Sequence, residues 1–378
     1  MIVRQLTPEE RFEAGNVMSV AFHYKRGNLE KEREEALKNT TEHWGAFAED
    51  GALMGCAINN RFRCFLDGTP VETCGIGGVA TLPEYRASGA IRGVFEALIP
   101  YAYQNGEVLS ALYPFRHAFY RKFGYETVCC LYYYDFAPLC LKRYRAEGDI
   151  RLWREGESVS AFTDIYNAFA KKYMLAELRN DEMTKRHING DYRTTQTYRY
   201  LLQDAYVAYS ADRDTLRVTD CAWSSVKGFY NLLGFLGRFT ADYAKISLVL
   251  PEDIELHHFV DDPFAVPKTA VQKYMVRIIN AEKALSAIKK PRGVRFALRV
   301  SDPYIEKNNN TFLVEDGAVS IADVPCDMEL SVGALSQLLA GAVNLEGLLY
   351  RSDVTLYGNK DALSETFVRK AAFIGYRY

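Results

Sequence analysis

The sequence predicts a mixed chain: an α/β unit, a second and degenerate copy of it, and a small α+β domain at the end. Three observations carry this expectation. Residues 2–137 read as strand, two helices, three antiparallel strands, helix, strand, helix and strand, which is one complete α/β unit. Residues 157–250 echo the hairpin, helix and strand of that series. A charged stretch (KRYRAEGD, about Lys142 to Asp149) and a stretch with two prolines and two aspartates (HHFVDDPFAVPKTA) fall between the units. The expected domains are therefore 1–145, 146–266 and 267–378, which accords with about 150 residues per domain.

The elements follow from local chemistry. Residues 2 to 6 (IVRQL) alternate like a strand. Thr7-Pro8-Glu9-Glu10 then supplies an N-cap, a proline at the first helical position and a capping-box glutamate, so a helix is predicted from Pro8 to about His23. LEKEREEALKN reads as a second, exposed helix over Leu29 to Lys38. Asp50-Gly51 and Asp67-Gly68 each separate runs of strand type and signal hairpins. A helix from about Ala90 to Gln104, a strand VLSAL, a short helix RHAFYRKF and a strand TVCCLYYYDF complete the first unit.

In the second unit ESVSAFTDIYNAFAKKY is helical, AYVAYSADRDTLRVTDCAW is a hairpin, VKGFYNLLGFLGRFTADY is a helix and KISLVL is a strand, while NDEMTKRHINGDY reads as a polar loop. The last unit opens with KYMVRIINAEKALSAI as strand and helix. GVRFALRVSD and NNTFLVEDGAVSIAD then form a hairpin closed by Asp316-Gly317, and ELSVGALSQLLAG is a strand and helix.

Composition narrows the function classes. Hydrophobic residues at 48% and charged ones at 25% are those of an ordinary folded protein. Lys+Arg 46 against Asp+Glu 48, with no basic runs, gives no footprint for nucleic acid. The eight cysteines include no CxxC pair and no Cys/His spacing suited to zinc, so no metal is expected. No signal-peptide pattern and no apolar run of about 18 residues occurs, so the expected location is cytoplasmic, with no membrane partner. The 26 tyrosines equal the glycines in number, and most read as amphipathic core filler.

The strongest local signal is Val79-Ala80-Thr81-Leu82-Pro83-Glu84-Tyr85-Arg86-Ala87-Ser88-Gly89-Ala90-Ile91-Arg92. A strand enters a turn carrying Arg-x-x-Gly and a helix begins at once, so free backbone N–H groups and the positive end of the helix dipole converge on one spot. That spot suits a pyrophosphate. Gly89 lets the backbone approach closely, and Arg86 and Arg92 add charge. About 30 residues on stands His117-Ala118-Phe119-Tyr120-Arg121-Lys122-Phe123-Gly124-Tyr125-Glu126.

The combination resembles the GCN5-related N-acetyltransferase (GNAT) superfamily. There an Arg/Gln-x-x-Gly-x-Gly/Ala loop binds the coenzyme A pyrophosphate, and the tyrosine of a Phe-Tyr-x-x-Phe-Gly-Tyr/Phe segment is the general acid. Here the sixth loop position is Ile91. With Arg-x-x-Gly-aliphatic-aliphatic-Arg, a second unit lacking the loop and a chain ending on an aromatic residue, the whole sequence looks like the enhanced intracellular survival (Eis) acetyltransferases. That resemblance implies tandem GNAT folds, the second degenerate, followed by a sterol-carrier-protein-like α+β domain, and acetyl-CoA as co-substrate.

It implies roles as well. Val79, Ala80 and Thr81 would pair with the pantetheine arm and leave an amide for the thioester carbonyl. Arg86, Ala87, Ser88, Gly89, Ala90, Ile91 and Arg92 would hold the pyrophosphate, with Phe115 and Arg116 also touching the coenzyme. Tyr120 matches the general acid, and a phenol of pKa about 10 stays protonated until charge develops on the leaving sulfur. Tyr125 reads as a core ring. The α-carboxylate of Tyr378 matches the base, a weak one at about 3.5 without a buried site or a bridging water. The segment Ala371 to Tyr378 (AAFIGYRY), apolar and aromatic to its end, favours a docked tail over a frayed one.

The implied activity is transfer of an acetyl group to a primary amine of a small molecule, aminoglycoside-like or another polyamine, or to a lysine. Phe22, Tyr24 and Trp44 are the expected walls of the acceptor pocket. Lys25, Arg26 and Arg377 disfavour a polycation there unless Glu30, Glu42 or carboxylates of the second unit reach in. The resemblance implies a homo-oligomer, a hexamer among its forms, though nothing in the sequence sets the number of subunits. His257-His258 reads as an exposed pair, His187 as a loop residue without chemistry and His117 as solvent-facing. The alternative from another class is a non-catalytic carrier of a lipid or other hydrophobic ligand with a vestigial coenzyme A site. VGALSQLLAGAVNLEGLLY would line its tunnel, although that stretch reads first as the core of a small domain.

Overall fold

The structure, a computed structural model, describes residues 1–190 and 196–375. The first unit holds β1 (Ile2–Gln5), α1 (Pro8–Phe22), α2 (Leu29–Lys38), β2 (Glu42–Phe47), β3 (Leu53–Leu66), β4 (Thr69–Thr81), α3 (Ala90–Gln104), β5 (Leu109–Leu112), α4 (His117–Arg121) and β6 (Glu126–Phe136). The second holds β7 (Arg151–Leu152), α5 (Ser160–Ala170), α6 (Asp181–Asn189), β8 (Thr197–Leu201), β9 (Ala205–Asp212), β10 (Thr215–Trp223), α7 (Val226–Leu236) and β11 (Lys245–Leu250). The remainder is β12 (Lys268–Ile278), α8 (Ala281–Ala287), β13 (Arg295–Ser301), β14 (Thr311–Glu315), β15 (Ala318–Ile321), β16 (Met328–Ser331), α9 (Val332–Leu339), α10 (Leu345–Leu348), β17 (Val354–Leu356) and α11 (Lys360–Thr366).

The local signals act as expected. Thr7 accepts from the Glu10 amide while the Glu10 carboxylate accepts from the Thr7 amide, so both halves of the capping box form at the head of α1. Asp67 and Gly68 both take left-handed φ, 53° and 81°, as a two-residue hairpin turn requires between β3 and β4.

Two units merge into one sheet of order β1-β2-β3-β4-β5-β12-β6-β11-β10-β9-β8-β7. The strand expected to open the third domain, β12, is thus a member of the first unit's sheet. It runs antiparallel to β5, from Met275↔Leu112 to Ile278↔Leu109, and antiparallel to β6, so β5 and β6 are parallel to each other. Neither could satisfy the other at this spacing, and the strand between them comes from beyond the second unit. On its other edge β6 pairs with β11, which makes the sheets of the two units continuous. The smaller sheet, β15-β14-β13-β16-β17, follows α8.

Three further expectations change. NDEMTKRHINGDY is not a loop at its start: Asn180 caps α6 by accepting from Met183 N at 2.9 Å, with Asp181 and Glu182 in the first turn. Asp316-Gly317 joins β14 to β15, and β13 lies on the far side of β14, so the expected hairpin is a three-strand meander. His257 is not exposed, because its ring sits 2.7 Å from Glu255 Oε1 and 2.6 Å from the Val266 carbonyl. The apolar stretch after β16 is core: Leu335, Leu338, Leu339, Leu345 and Leu348 pack with Val128, Leu131, Val276 and Ile278 of the large sheet.

A chain ended at residue 266 lacks β12 and leaves the facing edges of β5 and β6 unpaired. It is expected to aggregate and to show no cooperative thermal transition by circular dichroism, whereas the full chain unfolds cooperatively.

Candidate functional site

β4 and β5 begin as neighbours and then part. Their parallel ladder runs from Thr73↔Leu109 to Ile76↔Leu112 and stops, while β4 continues beside β3 as far as Thr81. Just past the split, Gly78 takes φ 57° and the β3 register shifts between Cys56 and Ile58, a bulge that bends β4 away. Among the described residues no strand lies on the outer edge of β4 from Gly77 to Thr81, so its backbone donors and acceptors face a gap. Val79 packs toward α3 and Ala80 toward α1.

The gap leads to the head of α3. A short turn of Pro83–Tyr85 is followed by Arg86, Ala87 at φ 65°, and Gly89 at φ 89° as the N-cap. A Cβ at Gly89 would meet no atom, so backbone conformation alone asks for glycine there. Gly89 has no side chain with which to cap this helix. Ala90 N reaches Ser88 Oγ at 3.3 Å, and the amides of Gly89, Ile91 and Arg92 have no acceptor among the described residues. Arg86, Ser88 and Arg92 are exposed around the spot, whereas the Ile91 side chain turns into the core, an aliphatic role that explains the absence of glycine or alanine there.

The corresponding place in the second unit is closed. β10 and β11 also pair only briefly, Thr215↔Lys245 to Arg217↔Ser247, while β10 runs on to Trp223. But Ser225 caps α7 by accepting from Gly228 N at 3.0 Å, and its hydroxyl donates to Asp204 Oδ2 at 2.8 Å. A Cβ at Gly228 would lie 2.4 Å from the Asp204 carbonyl oxygen. Ser225 thus satisfies the head of α7, with the Asp204 carboxylate bonded behind it, so this head differs from that of α3 in its capping as well as in its sequence.

Tyr120 stands on α4, in the crossing from β5 to β6. Its ring is buried against Phe95, Phe115, Phe119 and Tyr125, with centroids 5.1 to 6.3 Å apart. Burial pushes its phenol well above the usual value. Its hydroxyl makes no hydrogen bond among the described residues, whereas the fully buried Tyr125 hydroxyl is spent on Ser110 Oγ at 2.6 Å, as a structural ring should be. Phe115 is exposed beside this cluster, and Arg116, at the N-cap position of α4, is exposed without a side-chain capping bond. His117 differs from expectation, since its Nε2 is buried without a partner.

The expected acceptor walls separate. Phe22 and Tyr24 lie exposed at the end of α1. Trp44 is buried on the opposite face of the sheet, edge-on to Tyr101 of α3 at 5.0 Å, and does not join them. Strand alternation sends Glu42 to that same face, where Tyr101 and Asn59 hold it at 3.2 and 2.9 Å. Arg26 is not a loose cation: Glu32 binds its Nε at 2.7 Å, Asn16 takes another nitrogen and the guanidinium lies 4.3 Å over the Phe12 ring.

The chain's end is docked as far as it is described. Met174 N donates to the Ala371 carbonyl at 2.9 Å, Phe373 N donates to the Met174 carbonyl at 3.1 Å, and the Ala372 carbonyl accepts from Cys129 Sγ. Ala372 and Ile374 are buried, and Phe373 packs on Phe169 and Tyr173. Tyr378 and Arg377 lie outside the described residues.

Against known proteins, residues 2–128 match the family profile of the acetyltransferase (GNAT) domain, and residues 281–375 match the sterol carrier protein domain. The whole fold is shared with solved structures. A conserved protein of unknown function from Enterococcus faecalis aligns at 19% identity and TM-score 0.90, over 100% of this chain and 99% of that one. Eis1 from Mycobacterium abscessus aligns at 22% and 0.86, over 100% of both chains. A GCN5-related N-acetyltransferase from Anabaena variabilis aligns at 19% and 0.86, over 99% of both. Among curated proteins, 113 residues align at 29% identity with the flagellum-specific ATP synthase of Buchnera aphidicola subsp. Baizongia pistaciae, spanning 30% of this chain and 24% of that protein's length. The chain therefore carries a GNAT domain, a fold that supports acyl transfer, at one end and a sterol-carrier-protein fold at the other.

Gly89→Asp places a carboxylate on the uncapped head of α3. Binding of coenzyme A or of inorganic pyrophosphate, followed by titration calorimetry, is expected to weaken about tenfold, while Asp204→Ala in the second unit leaves both unchanged.

Proposed function

We propose that the chain is an acetyl-CoA-dependent N-acetyltransferase with one working site, in the first unit, acting on a primary amine of a small molecule or on a lysine. The observation that carries this reading is the parting of β4 from β5 beside an uncapped, glycine-turned head of α3, a place the second unit closes with its own Asp204. Acetyl-CoA supplies an acetyl group already activated as a thioester. The amides of Gly89, Ile91 and Arg92, with Arg86 and Arg92, fit its pyrophosphate. The open edge of Val79, Ala80 and Thr81 fits the amide-bearing pantetheine arm as an added strand would, and Phe115 and Arg116 flank the same entrance.

In the transfer a C–N bond forms and a C–S bond breaks. Tyr120 gives its phenolic proton to the departing sulfur. Burial keeps that proton in place at every working pH, because the phenol titrates only above its usual range. The amine proton passes to the α-carboxylate of Tyr378, directly or through water. Its approach is supported by the docking of residues 371–374 between the units. A carboxylate is a stronger base the less water solvates it.

Specificity follows from charge. Glu32 cancels Arg26, which leaves less positive charge beside Phe22 and Tyr24 than the sequence alone implies, and a basic amine is admitted there more readily. Glu42 is turned away and contributes nothing to that attraction.

Thiol release from acetyl-CoA across a panel of amines tests the reading. Tyr120→Phe is expected to lower kcat about 10²-fold with coenzyme A affinity unchanged. The wild-type kcat should not decline on the alkaline side until above pH 10, since the raised pKa keeps Tyr120 protonated. Deleting Tyr378, or extending the chain past it, should lower turnover by about two orders of magnitude while coenzyme A still binds; normal turnover in either variant would remove the terminal carboxylate from the mechanism.

A further inference from the structure

The turn that follows α4 closes on Tyr120. Phe123 N and Tyr125 N both donate to the Tyr120 carbonyl, at 2.9 and 3.3 Å, and Gly124 N donates to the Arg121 carbonyl at 3.0 Å. Two further carbonyls of this turn are taken by residues far along the chain. Arg277 Nε donates to the Phe123 carbonyl at 2.7 Å, and the Tyr304 hydroxyl donates to the Lys122 carbonyl at 3.2 Å. Gly124 sits at φ 80°, where a Cβ would lie 2.7 Å from Val332 Cγ1 and 3.3 Å from Arg277 Nε.

Arg277 belongs to β12 and is completely buried. Its remaining contacts are the Ile278 carbonyl at 2.7 Å and Asp302 Oδ1 at 2.5 Å, and the Asp302 side chain is equally sealed. Asp302 in turn accepts from Tyr304 N, Ile305 N and Asn308 Nδ2 at 2.9, 3.2 and 2.8 Å, and Asn308 Nδ2 also donates to the Ile279 carbonyl at 2.9 Å. A sealed guanidinium–carboxylate pair is costly to desolvate, and apolar residues of similar size often hold a fold as well or better. What apolar residues cannot do is fix a backbone carbonyl by a directed, charge-assisted bond.

We propose that Arg277, oriented by Asp302 and joined by Tyr304, is a positioning residue for Tyr120. Through it the segment after the second unit sets where the phenol points in the site. This rests on the reading of Tyr120 as the acid. The sterol-carrier-like domain then serves the chemistry from behind: Asp302 and Tyr304 come from the loop after β13, and Val332 of α9 fills the space that Gly124 leaves. A displaced Tyr120 loses its alignment with the sulfur but leaves the coenzyme's own contacts intact, so the loss falls on kcat and not on coenzyme binding.

The test uses the full chain. Two variants alter the hold on the turn: Arg277→Gln with Asp302→Asn, which replaces the ion pair by a neutral one, and Tyr304→Phe, which removes one hydroxyl. The first is expected to lower kcat by about 10- to 100-fold and the second severalfold, with the coenzyme A Kd within about twofold of wild type. In a Tyr120→Phe background neither change should lower kcat further, because a residue acting through Tyr120 has nothing left to act on.

Wild-type kcat in both variants, or the same fold-loss with and without Tyr120, would overturn the proposal and leave the pair a structural one. Should the paired variant fail to fold, Tyr304→Phe in the same cycle decides alone. A Tyr120→Phe enzyme as fast as wild type, or a wild type without thiol release on any amine, would instead refute the acid reading and the positioning with it.

Discussion

β5 and β6 run parallel to each other and are joined only through the antiparallel strand between them. The crossing from β5 through α4 to β6 leaves two facing edges, and β12 fills them from beyond the second unit. Much else depends on this one pairing. It fixes the distance between β5 and β6, and hence the span across which α4 carries Tyr120. It brings Arg277 under the turn that ends α4. It also makes the first unit's sheet incomplete until nearly three quarters of the chain has been added.

The two halves of the large sheet share one strand plan and differ at the helix head beyond it. Both contain a parallel pair that splits after three or four residues, with a helix starting beyond the split. At α3 the helix head is left uncapped, with glycine in a left-handed turn and arginines around it. At α7, Ser225 and Asp204 satisfy it from within. The difference is a few side chains on the same backbone plan. Asp204 supplies internally the negative charge that an incoming phosphate would bring to α3.

Much of this was legible in the residues. Capping at Thr7 to Glu10, turns at Asp67-Gly68 and Asp316-Gly317 and the Arg-x-x-Gly head of α3 are short-range signals, and each formed where its chemistry placed it. Long-range pairing was not legible. Nothing within KYMVRII says that its partners are β5 and β6, because strand alternation is the same in any sheet. Nor does the run show that its Arg277 is buried, because Asp302 meets it from 25 residues further along the chain. The residue types of Trp44, an expected pocket wall, and Glu42, a carboxylate that could reach in, do not reveal that the alternation of β2 turns both to the α3 face. The helix α6 was missed although Asn180-Asp181-Glu182 is a sound N-terminal signal, since its polar composition outweighed its cap.

The proposed site joins the open edge of β4, the glycine-turned head of α3 and the buried phenol of Tyr120. A crystal structure of the full chain with coenzyme A bound addresses that directly. The account predicts the pyrophosphate on the amides of residues 89–92, the pantetheine along Gly77 to Thr81 and the sulfur within hydrogen-bonding reach of the Tyr120 hydroxyl, about 3 to 4 Å. A coenzyme seated at α7, or a sulfur remote from Tyr120, would contradict it.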